Sequence, residues 1–214
     1  VKDMFNDNEF REKINMSGVN SINWARIICQ IVYYFYAAFK VGKQNISFSV
    51  PTGNFGDVYA GYMAKKMGLP IDKLIVATNE NDILQRVINT GEYKPGKVKP
   101  SLSPSMDIQV SSNFERLLFD ILIEDDKKVA SLMNDLQTKG FFKLDQESVK
   151  IIKKNFCAKT INDEETLTII KNLNIESKFI LDPHTATAFG AAKKIKNLSE
   201  TIILGTAHPY KFLE

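Results

Sequence analysis

Two glycines three residues apart, Gly53 and Gly56, enclose Asn54 and Phe55 in the stretch VPTGNFGDVYAG. The β-formers from Ile46 to Val50 stop at Pro51 just before them, and a helical pattern begins at Asp57. Glycine removes a Cβ, lets a ligand come close to the backbone and opens positive φ. A helix N-terminus carries unpaired N–H groups and partial positive charge, which suits a phosphate. Asn54 adds a side-chain donor. Asp57 is less comfortable beside an anion and reads first as the cap of a helix starting at Val58. The same residues equally suit an ordinary tight turn from strand to helix. They are neither a Walker loop, since no Gly-Lys-Ser/Thr follows, nor a dinucleotide fingerprint, since GxGxxG is missing.

Further groups with chemistry are few. The two histidines, His184 in DPHTA and His208 in TAHPY, each lie beside a proline in a turn. Imidazole is the natural acid or base at neutral pH, but a histidine in such a place also serves simply to tie the turn. Asp182 reads first as a strand-end residue before Pro183. Cys29 and Cys157 match no CxxC or metal-ligand spacing and read as reduced thiols of a cytoplasmic protein.

These residues need elements to place them, and the chain of 214 residues with 44% hydrophobic content has enough for a buried core. ISFSV, KLIVAT, KFILD and TIILGT are short continuous apolar runs that alternate with helical patterns. That predicts an α/β fold with a mainly parallel sheet covered on both faces. A long helix follows NSINWAR, capped by Asn20 or Ser21 and ended by Gly42. Its apolar residues recur on most sides, which predicts burial all round. A second cap is expected at Asn79 or Asn81. The stretch 125–176 is rich in Lys, Asp and Glu with few strand signals and reads as a peripheral helical insertion. Net charge is +3 with no basic stripe bearing stacking aromatics, so nothing points to nucleic acid. Ile22–Phe39 is broken by Asn23, Arg26 and Gln30 and is no membrane span.

VNSINWARI, PTGNFGD, YMAKKMGLPIDKLIVATNENDIL, LSPSMDIQVSSNFERLLFD, LDPHTA and GTAHPYKF occur here in one order. Together they resemble the threonine synthase family, pyridoxal-phosphate enzymes of the tryptophan synthase β-like fold. The resemblance is weakest between about 125 and 176. It implies conversion of O-phospho-L-homoserine and water into L-threonine and phosphate. It implies that Gly53, Asn54, Phe55, Gly56 and Asp57 hold the phosphate of pyridoxal 5'-phosphate and that Thr206 meets the pyridine nitrogen. It also implies a substrate-contacting role for Asn20, Ser21, Asn23 and Arg26, although Arg26 pairing with a structural acid and Asn20 as a mere cap are equally good readings. The family's Schiff-base lysine belongs to an AFKD-type segment expected upstream of this sequence. Lys40 in AAFKVGK does not match it, because Val41 follows. The sequence therefore reads as the C-terminal half of such an enzyme, inactive alone, with the missing half as its partner. Two rivals stand beside this reading. A serine/threonine dehydratase of the same fold would bring a more Gly-dense loop and lack NSINWAR and TAHP. A non-catalytic phosphate-ligand-binding module would keep the loop and lack the lysine.

Overall fold

The computed structural model describes residues 4, 7–16 and 22–212. Four parallel strands form the main sheet: β1 (Ile46–Pro51), β2 (Ile71–Thr78), β5 (Phe156–Thr160) and β6 (Thr201–Ile203), in the order β5-β2-β1-β6. Two short strands, β3 (Glu92–Tyr93) and β4 (Phe142–Lys143), pair antiparallel beside it. Side chains alternate across a strand, so each face buries every second residue. Phe48, Val50, Leu74 and Val76 enter one apolar core, whereas Ile75 and Ala77 enter a second with Ile161, Ala188 and Ala191. Both faces of the sheet are therefore covered, as the continuous apolar runs predict.

The helices are α1 (Asn8–Lys13), α2 (Trp24–Val41), α3 (Gly56–Lys66), α4 (Ile83–Thr90), α5 (Phe114–Ile121), α6 (Asp126–Lys139), α7 (Gln146–Asn155), α8 (Asp163–Ser177) and α9 (Pro183–Lys193). On the larger face α2 packs on α3. Tyr34 lies fully buried between the ring of Phe48, 4.9 Å away, and Gly61 of α3. A Cβ on Gly61 would come within 2.5 Å of the Tyr34 ring, so only glycine lets the two helices approach this closely. On the other face α9 lies against β1 and β2, with Ala188 and Ala191 packed on Ile75 and Ala77, while Gly190 faces Ile161 and Ile169. The Ser49 hydroxyl, which points to that side, donates to the Ala188 carbonyl at 2.6 Å.

Several expectations are corrected. KFILD forms no strand: Lys178 ends α8 in the left-handed conformation, and Phe179 and Ile180 are exposed with no strand beside them. The stretch 125–176 is not purely helical, since β4 and β5 lie in it and β5 is the strand next to β2. α2 begins at Trp24, and its cap is Asn23, whose side-chain oxygen accepts from the Ala25 amide at 2.9 Å. Asn20 and Ser21, the caps read from sequence, lie outside the described residues. Nor is α2 buried all round: Ile27, Tyr34 and Ala38 are, but Ile28, Val32, Tyr33, Tyr36 and Phe39 are exposed. The N-cap of α4 is Asp82, which makes no side-chain cap bond; its Oδ1 accepts from Arg86 Nε at 2.9 Å instead. Asn79 and Asn81 instead tie down a distant loop, as described below. No described helix is long and apolar enough to cross a membrane.

Candidate active site

β1 ends at Pro51, and the chain enters α3 through Thr52–Phe55. In an open parallel sheet the carboxyl ends of the strands are where ligands sit. The local turn differs from the expected one. Neither Gly53 nor Gly56 takes positive φ; Phe55 does, at φ 65°. Its side chain is 1% exposed and packs on Phe114 and Phe156, with ring centroids 5.4 and 5.6 Å away. Core packing thus holds a non-glycine residue in a conformation it rarely adopts. α3 then starts at Gly56, with Phe55 as its N-cap and no side-chain cap bond. The amides of Gly56, Asp57 and Val58 have no intrahelical acceptor by geometry.

Gly53 is needed for a different reason. A Cβ there would lie 2.8 Å from the Ser105 carbonyl oxygen and 3.2 Å from Met106 Cα. The strap formed by residues 94–113 runs over the glycine loop and is bonded to it. Ser111 Oγ donates to the Gly53 carbonyl at 2.8 Å, and Asn113 donates through its amide and its side chain to the Asn54 carbonyl, both at 3.0 Å. Ser112 Oγ donates to Asn54 Oδ1 at 3.2 Å, which commits the side-chain oxygen of Asn54 and leaves its amide nitrogen as a donor.

The strap is itself fixed to the end of β2. Asn79, 1% exposed, donates to Ser101 Oγ at 2.7 Å, Ser103 Oγ at 3.0 Å and Asp107 Oδ1 at 2.8 Å. Asn81 Nδ2 donates to Asp107 Oδ1 at 3.0 Å and to the Lys99 carbonyl at 2.8 Å, while Asn81 Oδ1 accepts from the Lys99 amide. Ser101 gives Asp107 two more bonds. A buried polar cluster satisfied at each member specifies one geometry.

Between these elements lies a cavity of about 220 Å³ lined by Arg26 and Gln30 of α2, Pro51–Asp57, Ser105, Met106, His184, Thr206 and Ala207. Arg26, Gln30, Asp57 and Thr206 also border an adjoining cleft of about 580 Å³. The structure therefore brings together Gly53, Asn54, Phe55, Gly56, Asp57, Thr206 and Arg26. Asn23 is used at the α2 cap and does not line this cavity. Lys40 sits in the last turn of α2, exposed over the Tyr36 ring.

Asp57 is not the helix cap. It is the second residue of α3, and Tyr34 Oη donates to its carbonyl oxygen at 2.8 Å and to its Oδ1 at 3.2 Å. Burial pushes the Asp57 carboxyl up to about 6; the Tyr34 hydrogen bond and the charge of Arg26 offset only part of that. Burial, then the Asp57 charge, pushes the Tyr34 phenol well above its ordinary value, so its hydroxyl stays a donor.

The histidines settle into turns. His184 is 3% exposed; its Nδ1 lies 3.1 Å from Asp182 Oδ1, and its Nε2 accepts from the Ser105 amide at 3.3 Å. Those partners place the proton on Nδ1 and tie the N-terminus of α9 to the strap. Asp182 is the N-cap of α9, accepting from the His184 and Thr185 amides and the Thr185 hydroxyl. Burial would raise its carboxyl, but the bonds from His184 and Thr185 outweigh this and hold it below its ordinary value. His208 caps a short turn, accepting from the Tyr210 amide, and is exposed. Tyr34, Gln30, Ser105 and Met106 are not among the site residues read from sequence. The last two lie within the SPSM run; Tyr34 shares the helical spacing of Ile27 and Ile31 and reads there as a core position, with nothing to mark its hydroxyl.

The mainly parallel sheet covered on both faces belongs to the tryptophan synthase β-like fold of pyridoxal-phosphate enzymes. The threonine synthase of Pseudomonas aeruginosa is 48% identical over 218 residues, matching 100% of this chain and 46% of its own length. The crystal structure of PLP-bound threonine synthase from Brucella melitensis has a TM-score of 0.95 at 47% identity, covering 99% of this chain and 46% of that one. Threonine synthase from yeast gives 0.91 at 44% identity, with coverage of 99% and 46%. No family model matches the chain. Along its whole length the chain is a homologue of threonine synthases, and it spans about half the length of the curated relatives it matches.

Proposed function

We propose that this chain is the C-terminal, cofactor-holding part of a threonine synthase, which converts O-phospho-L-homoserine and water into L-threonine and phosphate with pyridoxal 5'-phosphate. The observation that carries the reading is the cup itself: an uncapped first turn of α3 opening into one cavity with Arg26 and Thr206. The donor set fits a phosphate ester, being neutral amides and a guanidinium, and no group of metal-ligating side chains occurs among the described residues. The one contrary feature is Asp57, and its raised pKa lessens the repulsion.

When bound, the cofactor supplies the electron sink for proton loss from the substrate's α and β carbons. The chain's residues bind and orient. The amides of Gly56, Asp57 and Val58, with the Asn54 side chain, would hold the phosphate end. Phe55 anchors that turn in the core, and Gly53 lets the strap close against it. Thr206, which lines the cavity, would offer the cofactor ring a neutral hydroxyl, tuning it without the ring charge that a carboxylate partner would favour. Arg26 would take the substrate phosphate through charge-assisted bonds; the family resemblance gives Asn20, Ser21 and Asn23 a share in substrate contact, and of these only Asn23 lies among the described residues, where it caps α2. The lysine that anchors the cofactor comes from the rest of the protein.

The test is Arg26→Ala in the protein expressed from its complete reading frame. The apparent KM for O-phospho-L-homoserine rises by roughly 10–100-fold, the worth of one or two charged hydrogen bonds, while cofactor retention after dialysis is unchanged. An unaltered KM removes Arg26 from the substrate site. Release of no phosphate from O-phospho-L-homoserine by the unmodified protein, with turnover of free serine or threonine instead, overturns the assignment.

A further inference from the structure

We propose that Tyr34 is a positioning residue of the phosphate cup: by bonding both the carbonyl and the carboxyl of Asp57, it fixes the first turn of α3 and the charge that turn presents to an anion. The inference rests on the reading of residues 53–58 as an anion site and deepens it.

The geometry leaves Tyr34 no other place. Its ring is wedged between Phe48 of β1 and Gly61 of α3 and is fully buried. From there the hydroxyl reaches one turn back along α3 to Asp57, 23 residues on in sequence. The bond to the carbonyl oxygen ties down the backbone from which the cup's amides project. The bond to Oδ1 holds the carboxyl on the α2 side of the cavity. Both partners are thus set by a side chain that itself cannot rotate away.

Asp57 is also the acid in the cavity wall. The titratable or charged groups around it are Tyr34, Arg26, Cys29 and Tyr33 from α2 and His184 from α9. When the Asp57 carboxyl ionises it opposes a bound anion, so affinity falls as pH rises through its pKa, about 6 in the folded chain. The Tyr34 hydrogen bond lowers that pKa, so loss of the hydroxyl moves the transition to higher pH.

The experiment uses the cofactor-free protein expressed from its complete reading frame and follows sulfate binding by calorimetry from pH 5 to 8, a range in which sulfate keeps its charge. The unmodified protein loses affinity on the order of tenfold across the range, equivalent to the anion raising the Asp57 pKa by one unit. Asp57→Asn flattens the profile. Tyr34→Phe keeps the step but shifts its midpoint upward, on the order of half a unit. A midpoint unmoved in Tyr34→Phe, with only thermal stability lowered, makes Tyr34 a packing residue and overturns the inference. A step that persists in Asp57→Asn belongs to another group and overturns it too. Failure of sulfate and pyridoxal phosphate to bind at any pH overturns the cup itself, and the inference with it.

Discussion

Gly53→Val in the full-length protein abolishes retention of pyridoxal phosphate while leaving the fold in place. A single added Cβ meets the Ser105 carbonyl oxygen at 2.8 Å, Ile108 Cδ1 at 3.0 Å and Met106 Cα at 3.2 Å. The isoleucine tip can yield. The two backbone atoms cannot yield cheaply, because Asn79, Asn81 and Asp107 hold the strap from behind and Ser111 and Asn113 hold it to the loop. Valine then adds two methyl groups to the overlap. Relief comes from pushing the 53–55 loop away from the strap, at a cost of about 1–3 kcal/mol in packing. A displacement of ~1 Å in that loop moves the amides off their ligand, and misplacement of that size costs roughly a hundredfold in a preorganised site. The checks are the visible absorbance left after dialysis and the far-ultraviolet circular dichroism of the same sample. Gly53→Ala, with one methyl, loses less. Absorbance equal to that of the unmodified protein in Gly53→Val would mean that the loop does not hold the cofactor.

The course of this loop from strand to helix was legible in the sequence, but its mechanics were not. A strand, two glycines and a helix start are visible in ISFSVPTGNFGD. That the positive φ falls on Phe55 is not, because it depends on a pocket between Phe114 and Phe156, residues far along the chain. The same holds for Asp57: its type suggests a cap, and only the fold brings Tyr34 to it. The continuous apolar run of β2 was clear enough to predict two covered faces, and Leu74/Val76 and Ile75/Ala77 do enter separate cores. β5 was missed because it is an edge strand in a Lys-rich stretch, where only Phe156 and Ala158 are buried. KFILD and the outer face of α2 show the converse. An apolar pattern says that a surface wants cover, not that this chain provides it, and Phe179, Ile180, Val32 and Phe39 remain exposed here. The chain spans about half the length of its relatives, so sequence patterns that fit the whole need not all be satisfied within the part.

The buried asparagines give the second large effect. Asn79→Asp keeps the acceptor that serves the Asn81 amide but replaces the donor facing Asp107 Oδ1, 2.8 Å away, with a carboxylate. Two like charges then share a site where Asn79 is 1% exposed and Ser103 equally so. An uncompensated buried charge costs about 3–5 kcal/mol, which appears as a lower urea midpoint at unchanged slope. If the strap's position matters to the cup, cofactor retention falls in parallel, although Asn79 lines no part of the cavity. Asp107→Asn alone also destabilises, since one carboxylate oxygen that accepts bonds is lost. In the double variant Asn79→Asp/Asp107→Asn, the new amide at position 107 donates to the new carboxylate at 79. The pair then recovers roughly 1–2 kcal/mol relative to the sum of the single changes, and retention returns with it. Strict additivity of the two substitutions would show that the contact does not fix the strap. Recovery of stability without recovery of cofactor would show that the strap is fixed there but that the cup does not depend on it.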